Sequence, residues 1–114
     1  NLTSILQAIS SLESQNDGRR IAILGEMLEL GEQSVRSHQT TLNACQGFDR
    51  VITVGNQFRD CQTDIGQDHY QQAQAIDIER LAKWLRPGDT VLVKGSNAVF
   101  WNSGFVSRLK PVLA

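Results

Sequence analysis

The chain has 114 residues, 40% of them hydrophobic and 20% charged, which is enough apolar material for one buried core and too much for a disordered segment. Eleven basic residues face twelve acidic ones, a net charge of -1, so no nucleic acid and no anionic membrane is expected as a partner. The apolar runs are too short to span a bilayer and no signal-peptide pattern is visible; with Cys45 and Cys61 read as reduced thiols, the expected location is cytoplasmic.

The chain starts at Asn1 without a methionine and runs almost directly into a helical pattern, which reads as an excised piece of a longer protein. Thr3 or Ser4 is placed to cap a first helix, since a hydroxyl oxygen there accepts from free backbone N–H groups. Ile5, Ala8, Ile9 and Leu12 then recur on one helical face, and Asn16-Asp17-Gly18 reads as the turn after it. Residues 20–24 are a short β-branched and apolar run of the buried-strand kind. From 32 to 46 the period is helical again, with Val35, His38, Leu42 and Cys45 on one stripe and Gly47 suited to the position just after a helix. Residues 50–54 (RVITV) are the second expected strand, closed by Gly55.

The stretch 56–72 is polar and weakly patterned; a short helix and a loop are expected there, then a brief strand at 73–76. Asp77 is placed to cap a helix through 85 that buries Ile78, Leu81, Ala82 and Leu85. Arg86-Pro87-Gly88-Asp89 reads as a turn, 90–94 (TVLVK) as the last strand, and 98–109 as a final helix. No repeat or long linker interrupts the chain. Apolar strands alternating with helices predict one α/β domain: a three-layer, Rossmann-like, mainly parallel sheet with helices on both faces and right-handed crossovers.

In such sheets ligands sit beyond the carboxyl ends of the strands, so the segments after Leu24, Val54 and Val93 form the expected functional rim. The first, Gly25-Glu26-Met27-Leu28-Glu29-Leu30-Gly31, carries two carboxylates suited to a cation, an amine or a ribose; equally, it reads as a polar loop with its apolar residues tucked under the sheet. The second, Val54-Gly55-Asn56, reads as a simple strand exit. The third, Lys94-Gly95-Ser96-Asn97, combines an ammonium with the free N–H groups of a helix start, which suits a carboxylate or other anion; a surface lysine beside a helix cap is the plainer alternative. It is not a P-loop, because the G-x-x-x-x-G-K-[ST] spacing is missing.

His38, on the apolar stripe, reads as a packed or hydrogen-bonded structural histidine, and His69 as a solvated loop residue. Neither has a partner at metal-ligand spacing, so no metal held by this domain alone is expected. Trp84 and Trp101 read as packing residues.

Residues 18–31 (GRRIAILGEMLELG), then Ser34 to His38 on the next helix, then 91–96 (VLVKGS), resemble the C-terminal domain of the MurF-type Mur ligases. That pattern reads approximately G-R-R-I-A-V-L-G-D-M-L-E-L-G, a helical histidine, V-G after a strand, then V-K-G-S, and order and separations match across nearly the whole chain. The opening Asn1-Leu2-Thr3-Ser4 is similar to the tail of the family's Y-N-A-N-P-x-S segment.

The resemblance implies one domain of a three-domain ATP- and magnesium-dependent ligase, whose missing N-terminal and central domains hold the UDP-sugar end of the substrate and the ATP. The implied reaction activates the carboxylate of UDP-N-acetylmuramoyl-tripeptide as an acyl phosphate, which the amine of D-alanyl-D-alanine attacks. The C-terminal domain is implied to close over the central one, with no catalytic residue of its own and no activity alone. Carried over by position, Asn1 borders the nucleotide side of the cleft, while Glu26, Glu29, Lys94, Ser96 and Asn97 face the reacting centre.

Several positions depart from the family's pattern. Glu26 stands where Asp is usual, Leu2 where Pro is common and Asn97 where Arg is frequent, and Phe100 and Trp101 are unexpectedly bulky. A neutral amide at 97 cannot make a bidentate charged contact with a carboxylate.

Two other readings stay open on the residues alone. A stand-alone Rossmann-like ligand-binding module fits the alternation, without the G-x-G-x-x-G of a dinucleotide site. A receiver-type signalling domain fits the length, but Val54 is followed by Gly55-Asn56 rather than by a phosphorylatable Asp.

Overall fold

The computed structural model describes residues 2–13, 18–27, 34–100 and 104–113. Along them run α1 (Leu2–Glu13), β1 (Arg20–Gly25), α2 (Ser34–Ala44), β2 (Arg50–Val54), β3 (Gly66–Tyr70), α3 (Ile78–Trp84), β4 (Thr90–Lys94), α4 (Asn97–Phe100) and α5 (Phe105–Leu113). Short 3-10 turns lie at Asn56–Phe58 and Ala73–Ala75. The strands form one all-parallel sheet in the order β3-β2-β1-β4. No helix among the described residues is long and apolar enough to cross a membrane.

The period-two alternation of β1 divides the core. Ala22 and Leu24 pack with Ile5, Ile9 and Leu42 on the face covered by α1 and α2. Ile21 and Ile23 pack with Ile52, Val54, Leu81, Phe105 and Leu109 on the face covered by α3 and α5. The three-layer expectation is met because the central strands are apolar on both sides. Cys45 and Cys61 are free thiols, both buried.

The expected elements at 20–24, 50–54 and 90–94 are strands within a residue at each end, and Asp77 caps α3 by accepting the Arg80 N–H at 3.0 Å. Four expectations need correcting. Leu2 is already helical, so Thr3 and Ser4 lie inside α1 rather than capping it. Val35 is 63% exposed, off the buried stripe of α2, which is made instead by Ser37, His38, Thr41 and Leu42. Ala82 is exposed, and within α3 only Leu81 is fully buried. The helix expected over 98–109 is two helices, α4 and α5.

The fourth strand is also displaced. Residues 73–75 form a 3-10 turn, and the strand is β3 at 66–70, within the stretch read as loop. Among the described residues β3 pairs with β2 only, so its side chains stay half-buried and need no apolar run. Polar cross-strand contacts replace one: Arg50 pairs with Asp68, and Thr53 with His69 at 2.9 Å.

At the amino end of the sheet, Arg19 grips Asp89 with two bonds, Nε to Oδ1 at 3.0 Å and Nη2 to Oδ2 at 2.7 Å. The same guanidinium donates to the Trp84 carbonyl and lies 4.0 Å from the centre of the indole ring. Hydrogen bonding from Arg19, foremost, and from the Arg86 backbone holds the Asp89 carboxyl below its ordinary value, against an opposing effect of burial. Trp84 is therefore a half-buried platform for arginine as well as a packing residue.

Candidate functional site

Register sets the rim. Gly25 pairs with Val54, and Leu24 with Lys94, so the exits of β1, β2 and β4 lie side by side. Glu26 joins all three. Its N–H donates to the Val54 carbonyl at 2.9 Å, and its carbonyl accepts the Ser96 N–H at 3.3 Å. Its Oε2 accepts the Gln57 N–H at 3.2 Å, in the 3-10 turn after β2. Glu26 is thus the residue through which the three strand exits are tied together.

Glycine makes that convergence possible. A Cβ on Gly95 would lie 2.8 Å from Gly25 Cα and 2.7 Å from Phe100 Cε2, and one on Gly25 would lie 2.6 Å from the same ring atom. The Phe100 ring lies against both glycines, which gives its bulk a place in the fold. Gly55 turns the chain with φ 110°, a conformation open to glycine.

A cleft of about 350 Å³ opens beside this junction, lined by Glu26, Val54, Gly55, Gln71, Gln72, Ala73, Gln74 and Val99. Three glutamines supply its amide groups, and among the described residues Glu26 is its one charged lining residue. None of the three glutamines stands out in the sequence, because a polar run after an unrecognised edge strand looks like ordinary loop. Gln71 is held in a relay: its Oε1 accepts from His69 Nε2 at 3.1 Å, which leaves His69 Nδ1 to accept from the Thr53 hydroxyl. His69 is therefore a strand residue with both ring nitrogens engaged, not a solvated loop residue.

The other expected site residues take separate places. Lys94 ends β4 half-buried, level with Leu24, and does not line the cleft; among the described residues no ion pair reaches it. Ser96 immediately precedes α4, its carbonyl accepting the N–H groups of Val99 and Phe100. Its Oγ is buried with no hydrogen-bond partner among the described residues. Asn97 is the first residue of α4. Asn1 and Glu29 lie outside the described residues, as does Trp101. Among the described residues, no three His, Cys, Asp or Glu side chains gather where a metal ion could sit.

Comparison with known proteins decides the family. The model of the Mur ligase, glutamate ligase domain matches residues 1–97. The chain belongs to the Mur ligase family. This Mur ligase domain is 33% identical over 103 residues to the UDP-N-acetylmuramoyl-tripeptide–D-alanyl-D-alanine ligase of Escherichia coli K12. That alignment covers 86% of the domain and 22% of the relative. The fold is similar to that of the MurF ligase of Thermotoga maritima, solved in complex with ADP: TM-score 0.82, 22% identity, covering 99% of the domain and 26% of that chain. The domain thus spans about a quarter or less of the proteins it matches. The receiver reading falls with the family match.

Proposed function

We propose that the chain is the C-terminal domain of a three-domain ATP-dependent ligase that adds D-alanyl-D-alanine to UDP-N-acetylmuramoyl-tripeptide in peptidoglycan synthesis, a cytoplasmic reaction. The family match and the name of the Escherichia coli relative support the reaction. On this reading ATP and magnesium are bound mainly by the rest of the enzyme, and supply the activation of the substrate carboxylate as an acyl phosphate. This domain contributes a rim that closes over the reacting centre, positions the incoming amine and excludes water.

The observation that carries the domain's part is the Glu26 junction, a carboxylate at the mouth of an amide-lined cleft at the carboxyl end of a parallel sheet. A carboxylate there suits the ammonium of the dipeptide before it gives up its proton. Lys94, at the next strand exit, suits its terminal carboxylate, and the unpartnered Ser96 hydroxyl is a further polar contact for the closed state. Glu29 is assigned to the same rim and Asn1 to the nucleotide side by position in the family's pattern. Asn97, neutral where Arg is frequent, contributes an amide rather than a charge.

The test is phosphate release by the protein of the complete reading frame, with ATP, magnesium and UDP-N-acetylmuramoyl-tripeptide, with and without D-alanyl-D-alanine. Release that depends on the dipeptide and falls in Lys94→Ala or Glu29→Ala supports the reading. Release indifferent to the dipeptide overturns it. The 114 residues alone are expected to release no phosphate.

A further inference from the structure

His38 has no solvent exposure, yet both of its ring nitrogens are engaged by backbone. Nε2 stands 2.9 Å from the Met27 nitrogen, and Nδ1 stands 2.5 Å from the carbonyl oxygen of Ser34, one turn back on α2. A peptide N–H can only donate, so Nε2 is the acceptor and Nδ1 carries the proton, donating to Ser34. The two contacts fix one neutral tautomer. The ring also meets Phe58 edge-to-face, with centroids 4.7 Å apart and planes at 82°.

Met27 and Phe58 matter through their neighbours in the chain. Met27 is the residue after Glu26, and Phe58 is the residue after Gln57, whose N–H holds the Glu26 carboxylate. Both halves of the Glu26–Gln57 contact therefore rest on one imidazole. We infer that His38 is a positioning residue for the rim: by binding the Met27 amide and bracing Phe58, it sets where the Glu26 carboxylate stands. It touches neither the cleft nor any reacting atom, so its effect passes wholly through Glu26.

The inference rests on the proposed function only for its effect on the reaction. Replacing His38 by leucine fills much of the volume but leaves the Met27 N–H buried without an acceptor. Replacing it by glutamine offers an amide oxygen at about the reach of Nε2. In the complete protein, His38→Leu should raise KM for D-alanyl-D-alanine about tenfold while KM for ATP stays within about twofold, and His38→Gln should restore most of the dipeptide KM. Equal losses in both variants, or a leucine variant with the parent's dipeptide KM, would overturn the positioning role.

A second measurement separates this inference from the function. Met27 is the single methionine of the chain, so a 15N-methionine label on these 114 residues yields one amide signal. With the histidine rings labelled with 15N as well, scalar coupling from that amide across the hydrogen bond to the His38 Nε2 supports the inference even if the complete protein ignores the dipeptide. A Met27 amide with no coupling and rapid solvent exchange overturns it even in an active ligase.

Discussion

Glu26 occupies the space that a side chain on Gly55 would need: a Cβ at position 55 would lie 2.6 Å from the Glu26 Cδ and 2.8 Å from its Oε2. The glycine after β2 and the carboxylate after β1 are therefore one design, in which the missing side chain of one residue makes room for the other. A strand exit that reads as unremarkable in sequence is a wall of the candidate site.

Gly55→Ala should consequently do two kinds of damage. The backbone at φ 110° and ψ 159° is costly for any residue with a Cβ, on the order of 1–3 kcal/mol, and the new methyl would push the Glu26 side chain off the Gln57 amide. Urea unfolding should show the loss. Adding Glu26→Ala to Gly55→Ala should relieve the collision but leave the backbone cost in place. An alanine variant as stable as the parent would refute the crowding.

The paired glycines under Phe100 make a graded prediction. The nearest obstructions at Gly25 are side-chain atoms of Phe100 and Val99, whereas at Gly95 they include the backbone of Gly25. Both alanine variants should lose roughly 1–3 kcal/mol by overpacking. Trimming Phe100 to leucine should recover stability in the Gly25 variant and much less in the Gly95 variant. Equal recovery, measured by thermal melting, would contradict the geometry.

The Arg19–Asp89 pair predicts a pH dependence with a definite sign. Asp89 is held below its ordinary value of 3.8 in the folded chain, so its contribution is complete above that value and is lost as pH falls through the lower folded one. Asp89→Asn should lower the melting temperature by a constant amount from neutral pH down to about 5, and the gap should close as the solution is acidified below about 4. A gap that persists unchanged at pH 2 would mean that the charge is not its source.

The two thiols should be slow to react while the chain is folded. Both are buried, and burial, reinforced by the Asp60 carboxylate, pushes the Cys61 thiol above its ordinary value. Iodoacetamide at neutral pH should modify native chain at a small fraction of the rate for urea-unfolded chain, as followed by intact mass. Rapid single modification of native chain would show that one of the two is accessible.

How far the sequence could be read depended on what each segment buries. β1, β2 and the fold class were legible because their residues meet core on both faces, which leaves runs such as Ile21-Ala22-Ile23-Leu24. β3 was not, since an edge strand held by Arg50–Asp68 and Thr53–His69 carries no apolar signature. Glu26 could be found from its place after a strand, but the glutamines of the cleft could not, because what gathers them is the position of β3. His38 was legible as a hydrogen-bonded structural residue, and its partner Met27 was not, since the bond is to backbone, which carries no residue identity.

The order of the strands has a consequence during synthesis. β1 leaves a ribosome well before β4, its neighbour on one side, paired Arg20 to Thr90, with Arg19 waiting on Asp89 seventy residues later. Until that last strand emerges, one backbone edge of the most apolar strand stands open beside Ile21 and Ile23. A nascent chain stalled or clipped after α3 would expose that edge to other chains, so the domain is a natural client for chaperones in the interval. The closing of β4 onto β1 is the strand pairing that joins the most distant parts of the sequence, so it carries the largest loop-closure cost of the sheet.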